Sequence, residues 1–169
     1  MSKHPLLNKS APTITLPDAN GEPFTFTPGT QGKPAVVFFV PSVGTYGCSR
    51  EMCGFRDALV DGRDFSNANV QLVGIGPNPV TDIKKWTDNN KINYPVLSDE
   101  KGDARKAFQC GKGLMGLSEG RLSFIIDKEG VIRDVMDSVL NYNGHVKFAL
   151  QAIEKFGAES KAAEPAASS

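Results

Sequence analysis

The sequence predicts an α/β domain in which a central mixed β-sheet is flanked by helices and preceded by a β-hairpin. The run PAVVFFV at 34–40 is continuously β-branched or aromatic, which is typical of a strand buried on both faces. A second run of this kind, VQLVGIG, follows at 70–76. Segments with helical spacing of apolar residues come after each run, and this alternation of strands and helices indicates an α/β sheet.

The remaining elements are short segments whose apolar residues follow the period of either a strand or a helix. In chain order they are a hairpin at 14–26, a helix at 80–90, a strand at 94–99, a short helix at 103–110, a hairpin at 121–137 and a last helix at 143–156. After Gly157 the chain reads AESKAAEPAASS, which has no large apolar residue to offset the entropy of ordering. We therefore expect one domain over residues 1–157 and a disordered tail over 158–169.

The composition is that of a globular protein with balanced charge. The 169 residues include 40% hydrophobic and 22% charged residues, with 19 Lys plus Arg against 19 Asp plus Glu. This balance gives no reason to expect nucleic acid or an anionic membrane as a partner. Because there is neither a signal-peptide pattern nor an apolar run of membrane-spanning length, we expect a reducing intracellular compartment, either cytoplasm or nucleus. Three cysteines in such a compartment do not form a structural disulfide framework.

Two of the cysteines lie in the stretch VPSVGTYGCSREMCGFRD at 40–57. Cys48, Met52, Phe55 and Leu59 are separated by four, three and four residues, which predicts one face of a helix. Cys48 then lies in the first turn and faces the sheet, and Thr45 is a suitable N-cap. Unpaired backbone N–H groups and the positive end of the helix dipole both favour the thiolate, which is the nucleophilic form of cysteine.

The second cysteine, Cys53, follows five residues after Cys48. In an intact helix this spacing separates the two Cα atoms by about 8.6 Å, whereas a disulfide requires about 4.4–6.8 Å. A bond between them therefore requires the helix to unwind first. The spacing is also longer than the Cys-x-x-Cys pair that is typical of a thiol–disulfide reductase. A lone cysteine on an apolar helix face is ordinarily a packing residue, and for Cys110 in AFQCGKG we favour that interpretation.

A family resemblance rests on these residues. Pro41, Thr45 and Cys48 match the pattern P-x-x-x-T-x-x-C of the peroxiredoxins, and CSREMCGFRD resembles the Q-type subgroup, also called bacterioferritin comigratory protein. The segments APTITLPDANGEPFTF, YPVLSD and GRLSFIIDKEGVI resemble further parts of that family. Two positions depart from the usual family pattern: Tyr46 replaces a proline and Ser42 replaces a lysine.

The resemblance implies a thioredoxin-like fold and an atypical two-cysteine peroxidase that reduces hydrogen peroxide and organic hydroperoxides. It implies that Cys48 attacks the peroxide and becomes a sulfenic acid, which Cys53 then converts to a disulfide. It also implies that Thr45 hydrogen-bonds the thiolate or the peroxide, that Arg121 supplies a fixed positive charge, and that Pro41 shields the thiol from water. Thioredoxin or a similar dithiol is the implied reductant.

The remaining expectations concern partners and isolated residues. We expect a monomer or weak homodimer without cofactor or metal, because neither His4 nor His145 has a second ligand at a suitable spacing. Glu51 is grouped with Arg50 and Arg56 as the charged, exposed face of the helix, although the resemblance also offers it, one turn from Cys48, as a residue that orients Arg121. Two other functions stay open, a thiol–disulfide reductase and a non-enzymatic redox sensor or chaperone-like protein. Catalytic rather than single-event peroxide consumption distinguishes the peroxidase from the non-enzymatic alternative.

Overall fold

The computed structural model describes residues 4–30, 32–60 and 70–163. The strands are β1 Ile14–Pro17, β2 Pro23–Phe26, β3 Ala35–Phe39, β4 Gln71–Gly76, β5 Val96–Ser98, β6 Lys112–Gly113, β7 Ser118–Glu119, β8 Leu122–Ile126 and β9 Ile132–Asp137. The helices are α1 Tyr46–Val60, α2 Val80–Asn89, α3 Asp103–Ala107 and α4 Tyr142–Ala163, with a 3₁₀ turn at Leu114–Gly116.

The central sheet has five strands in the order β5-β4-β3-β8-β9. Strands β3, β4 and β5 are parallel, whereas β8 runs antiparallel to β3 and β9 antiparallel to β8. The sheet is therefore mixed, as the sequence predicts. Strands β1 and β2 form the expected N-terminal hairpin, in which Ile14 pairs with Phe26. The short pair β6 and β7 falls between the predicted short helix at 103–110 and the predicted hairpin at 121–137, where the sequence predicts no element.

The two faces of the sheet carry separate apolar cores, because side chains alternate along each strand. Val37 and Phe39 face the core beneath the hairpin and α3. Val36 and Phe38 face the opposite core, which α1, α2 and α4 cover. Phe38 stacks on Phe55 of α1 with 4.5 Å between ring centroids, which fastens the cysteine-bearing helix to the middle of the sheet.

The same alternation fixes the direction of two polar residues, Ser123 in β8 and Arg121 immediately before it. Ile125 packs into the core beneath α1 and α4, so Ser123 and Arg121, at steps of two, lie on that face. Both are buried, Ser123 completely and Arg121 with 4% of its surface exposed. The sheet thus directs one cation and one hydroxyl toward the helix layer that contains Cys48.

The last helix, α4, continues further than the predicted end at residue 156. It runs to Ala163, through the first half of the segment predicted to be a disordered tail. The residues Ala-Glu-Ser-Lys-Ala-Ala at 158–163 have good helix propensity, so the helix extends after its apolar face has ended. The remainder of the predicted tail, 164–169, lies outside the described residues. No helix in the described part of the chain combines the length and apolar character needed to cross a membrane.

Candidate active site

Cys48 is the third residue of α1 and its side chain is completely buried. It packs among Val36, Phe38 and Met52 on the helix-covered face of the sheet. The first backbone N–H groups of a helix have no intrahelical acceptor and carry partial positive charge. Cys48 thus combines a dry apolar pocket with the positive end of α1, and it is a free thiol, as are Cys53 and Cys110.

Arg121 lies directly against the start of α1. A Cβ atom added to Gly47 would come 3.2 Å from Nη2 of Arg121 and 2.9 Å from the ring of Tyr142, so the absence of a side chain there allows the close approach. Nε of Arg121 donates to the carbonyl of Val139 at 2.7 Å. Burial lowers the pKa of Arg121, but Glu51 and the Cys48 thiolate raise it by more, so the guanidinium remains a cation beside the sulfur.

The exposed position predicted for Glu51 is wrong. Glu51 is completely buried, and its Oε2 accepts a hydrogen bond from Nη1 of Arg121 at 2.7 Å. It therefore has the contact required by the alternative interpretation, that of orienting Arg121. A signal for burial is present in the sequence, because position 51 lies three residues after Cys48 and four before Phe55 and so borders the apolar face.

The buried guanidinium of Arg121 interacts with two acidic groups, the Glu51 carboxyl and the Cys48 thiol. Burial raises the pKa of Glu51 to about 8, although the charge and hydrogen bond of Arg121 act in the opposite direction. Oε1 of Glu51 is buried and has no hydrogen-bond partner among the described residues, so the proton of the neutral carboxyl belongs on that oxygen. Because burial favours the neutral form of Glu51, this residue competes less for the charge of Arg121, which can then stabilise a thiolate at Cys48.

The loop before α1 is held by a residue that the sequence analysis does not identify. Oδ1 of Asn78, just after β4, accepts from the backbone N–H of Val43 at 2.7 Å. The carbonyl of Asn78 accepts from the Ser98 hydroxyl at 2.6 Å. These bonds connect the carboxyl ends of β4 and β5 to the loop that starts with half-buried Pro41. A single asparagine in a loop has no periodic signal, so only the fold reveals this role.

Thr45 precedes α1, as expected of its N-cap residue, but it makes a contact that was not expected. Its hydroxyl donates to the carbonyl of Ser42 at 2.9 Å, and the residue is exposed. A hydroxyl has a single proton, so in this state Thr45 does not donate to Cys48. Its oxygen keeps lone pairs that can accept a hydrogen bond.

Cys53 lies on the opposite side of α1, half-buried against the end of α2. Its sulfur is 3.9 Å from Oδ1 of Asn90. The neighbouring Arg56 donates through Nη1 to the Asn90 carbonyl at 2.5 Å. The helix is continuous from Tyr46 to Val60, so the two thiols are held apart as the helix geometry predicts.

A buried hydrogen bond joins α1 to the segment before β5. The hydroxyl of Tyr94 donates to the carbonyl of Met52 at 2.7 Å. Burial and the neighbouring Glu51 hold the pKa of Tyr94 well above its usual value, so the phenol stays a neutral donor. Because Met52 lies between Cys48 and Cys53, this bond stabilises the part of α1 that separates the two cysteines.

Cys110 lies apart from this site, near α3 and on the other core. Burial raises the pKa of its thiol to about 12, which makes it a poor nucleophile. Among the described residues no group of three or more His, Cys, Asp and Glu side chains is arranged to hold a metal ion.

Comparisons with known proteins agree with this geometry. The model of the AhpC/TSA family matches residues 7–135. A chloroplastic peroxiredoxin Q from Sedum lineare is 31% identical over 143 residues, which cover 85% of this chain and 75% of the relative. Peroxidoxin BcpB from Mycobacterium tuberculosis superposes with a TM-score of 0.75 at 29% identity, over 88% of this chain and 96% of that chain. A peroxiredoxin Q from Xanthomonas campestris, 22% identical, shares the fold with a TM-score of 0.72 over 85% of this chain and 91% of its own.

The chain therefore belongs to the AhpC/TSA family, in the peroxiredoxin branch that its Q-type relatives represent. The predicted thioredoxin-like fold is confirmed. Thiol-dependent peroxidase activity is the function that this membership supports.

Proposed function

We propose that this protein reduces hydrogen peroxide and organic hydroperoxides through Cys48, forms an intramolecular disulfide with Cys53, and is recycled by thioredoxin or a similar dithiol. The observation that carries the proposal is the position of Cys48, completely buried in the first turn of α1 and beside the guanidinium of Arg121. A cation and unpaired N–H groups around one thiol favour its ionisation and stabilise negative charge that develops on a bound peroxide.

In the first step the Cys48 thiolate attacks the terminal peroxide oxygen. The S–O bond forms as the O–O bond breaks, and the product is a sulfenic acid and an alcohol or water once the departing oxygen has taken a proton. Arg121 and the first N–H groups of α1 stabilise that departing oxygen. Thr45 accepts a hydrogen bond from the peroxide, and Pro41 keeps water from the sulfur.

In the second step the thiol of Cys53 attacks the sulfenic sulfur, so that a disulfide forms and water leaves. Cys53 is held on the far side of an intact helix, beside Asn90, so this step requires the first turns of α1 to unwind. Unwinding brings both sulfurs to the surface, where the dithiol reductant can reach them. A reducing cytoplasm or nucleus, and a monomeric or weakly dimeric protein, suit this cycle.

Peroxide consumption by three single variants tests the proposal. Cys48→Ser is expected to abolish consumption with the fold retained. Cys53→Ser is expected to consume about one peroxide per chain and to accumulate a sulfenic acid that a dimedone-type probe traps, while turnover with thioredoxin stops. Cys110→Ser is the matched control and should behave as wild type. Activity near wild type in Cys48→Ser, or loss of turnover in Cys110→Ser but not Cys53→Ser, would contradict the assignments.

A further inference from the structure

His145 is a completely buried histidine near the start of α4, outside the set of residues that the proposed reaction uses. Asn141 caps the beginning of this helix, since its Oδ1 accepts from the N–H of Gly144 at 3.2 Å. The next residue, His145, points into the layer between α4 and the sheet. A buried imidazole must have both ring nitrogens satisfied, and their partners show what the ring does.

The two ring nitrogens have partners in two different places, one in β8 and one just after β9. Nε2 lies 2.8 Å from the carbonyl oxygen of Ser138, which can only accept, so Nε2 carries the proton. Nδ1 lies 2.8 Å from the hydroxyl of Ser123, which donates to it. His145 is thus a neutral imidazole with a defined tautomer, and burial lowers its pKa to about 4. Because Ser123 is in β8 and Ser138 follows β9, the ring bridges both strands.

The segment that the ring holds is the segment that holds Arg121. The backbone N–H of Ser138 donates to the carbonyl of Arg121 at 3.1 Å. The next carbonyl, that of Val139, accepts from Nε of Arg121 at 2.7 Å. One peptide segment therefore fixes both the main chain and the guanidinium of Arg121, and its position is determined on the other side by Nε2 of His145.

We infer that His145 is a positioning residue of the peroxidase site, acting on Cys48 through the Ser138–Val139 segment and Arg121. This inference rests on the role proposed for Arg121. If the donor at Nε2 is lost, the carbonyl of Ser138 is left without its partner and the segment can move. The guanidinium then loses its fixed distance from Cys48, and small misplacements of a catalytic group cost up to about 10²-fold in rate. The same loss weakens the stabilisation of the thiolate.

Two amide substitutions separate positioning from packing. Gln at 145 is long enough to place an N–H near the position of Nε2, whereas Asn is one methylene shorter and reaches only the position of Nδ1. We expect His145→Asn to slow the reaction of Cys48 with hydrogen peroxide by about ten- to a hundredfold and to move the midpoint of its pH–rate profile to higher pH. His145→Gln should retain most of the rate and the original midpoint. The stopped-flow rate of the first peroxide step measures both.

A control variant on the same helix separates a general loss of stability from a loss of positioning. Ile153 is buried in α4, and its apolar side chain cannot form a hydrogen bond that anchors the Ser138–Val139 segment. Ile153→Ala should therefore lower the thermal unfolding midpoint at least as much as His145→Asn and leave the pH–rate profile unchanged. If His145→Asn does not fold, Ser123→Ala decides, since it removes one of the two anchors of the ring. A smaller shift in the same direction supports the inference, and an unchanged profile overturns it.

Parallel measurement of Arg121→Lys distinguishes the failures. If Arg121→Lys slows the peroxide step while His145→Asn matches wild type, the inference about His145 falls and the proposed function stands. If His145→Gln is as slow as His145→Asn, the donor at Nε2 is not the group that matters and the inference falls as well. If both Arg121→Lys and His145→Asn match wild type, the role proposed for Arg121 fails together with that of His145.

Discussion

Nη1 of Arg121 donates to Oε2 of Glu51 across 2.7 Å in a part of the site from which solvent is excluded. The two residues are 70 positions apart in the sequence, and the first carries the cation that the cysteine chemistry requires. Breaking such a buried pair by removing one partner is expensive, because it leaves an uncompensated charge or an unsatisfied polar group. The pair therefore determines the position of Arg121, while burial keeps Glu51 from competing fully for its charge.

Glu51→Gln should change how stability depends on pH. The pKa of Glu51 rises on folding from 4.5 to about 8, so the folded state keeps a proton that the unfolded chain has lost. Stability from this group is complete below pH 4.5 and falls as pH rises toward 8, by at most about 1.4 kcal/mol per pH unit. Glutamine is neutral throughout, so the variant should lack this fall. Urea unfolding across that range measures it.

The contribution of Glu51 to the pH dependence of stability is best measured above pH 6.5, where that of His145 does not change. The pKa of His145 is lowered on folding from 6.5 to about 4, so its contribution to stability increases with pH between about pH 4 and 6.5 and opposes that of Glu51 there. Above pH 6.5 the contribution of His145 is constant. A Glu51→Gln protein whose stability falls as steeply as wild type between pH 6.5 and 8 would show that Glu51 is ionised in the folded state.

Arg121→Lys should slow the peroxide step although it keeps the positive charge. The guanidinium donates at once to Glu51 and to the Val139 carbonyl while facing Cys48, and a lysine cannot reproduce that planar fork. Loss of a preorganised donor typically costs on the order of 10²–10³ in rate. Rapid-mixing kinetics with hydrogen peroxide measure the change. Wild-type rate and unchanged thiolate absorbance in both Arg121→Lys and Arg121→Ala would reject the electrostatic role.

Tyr94→Phe should make disulfide formation faster. It removes the hydroxyl that donates to Met52 and leaves the ring in place beside Phe38. Loss of this bond should cost about 1 kcal/mol in the intact-helix state, and the unwound state does not require it. Once Cys48 is oxidised, the interval before the disulfide appears should therefore shorten, with no change in the peroxide step. Quenched-flow mass spectrometry follows both species, and a slower or equal rate would show that Tyr94 does not restrain the helix.

Cys110 should resist alkylation under conditions in which Cys53 reacts. Burial raises the pKa of the Cys110 thiol to about 12, so almost none of it is thiolate near pH 8. Iodoacetamide labelling of the reduced protein, with site assignment by peptide mass, measures the order of reaction. Labelling of Cys110 as fast as that of Cys53 would contradict the burial of its thiol.

The strands and the cysteine helix could be predicted because they follow regular periods. The continuous apolar run at 34–40 corresponds to a fully buried β3, and the spacing of Cys48, Met52 and Phe55 identifies the buried face of α1. Pairing within the sheet, such as Val37 beside Phe124, depends on residues far apart in the chain and is supplied by the fold alone.

The polar residues that support the site could not be predicted in the same way. Asn78 and His145 occur singly, and neither lies in a pattern that distinguishes a structural hydrogen bond from a solvated side chain. Grouping Glu51 with the charged Arg50 and Arg56 predicts a surface position, but Glu51 is buried and pairs with Arg121, which immediately precedes β8. Only the three-dimensional arrangement reveals these partners.

The central claim is that Cys48 reacts from an intact helix and that Cys53 reaches it only after that helix unwinds. Hydrogen exchange over residues 48–55 tests this directly, comparing the reduced protein with the protein treated with one equivalent of peroxide. We expect slow exchange in the reduced wild type and fast exchange once the disulfide has formed. Cys53→Ser should stay slow after the same treatment, because its sulfenic acid forms without unwinding. A mass-confirmed bond between Cys48 and Cys53 with exchange as slow as in the reduced protein would contradict the account.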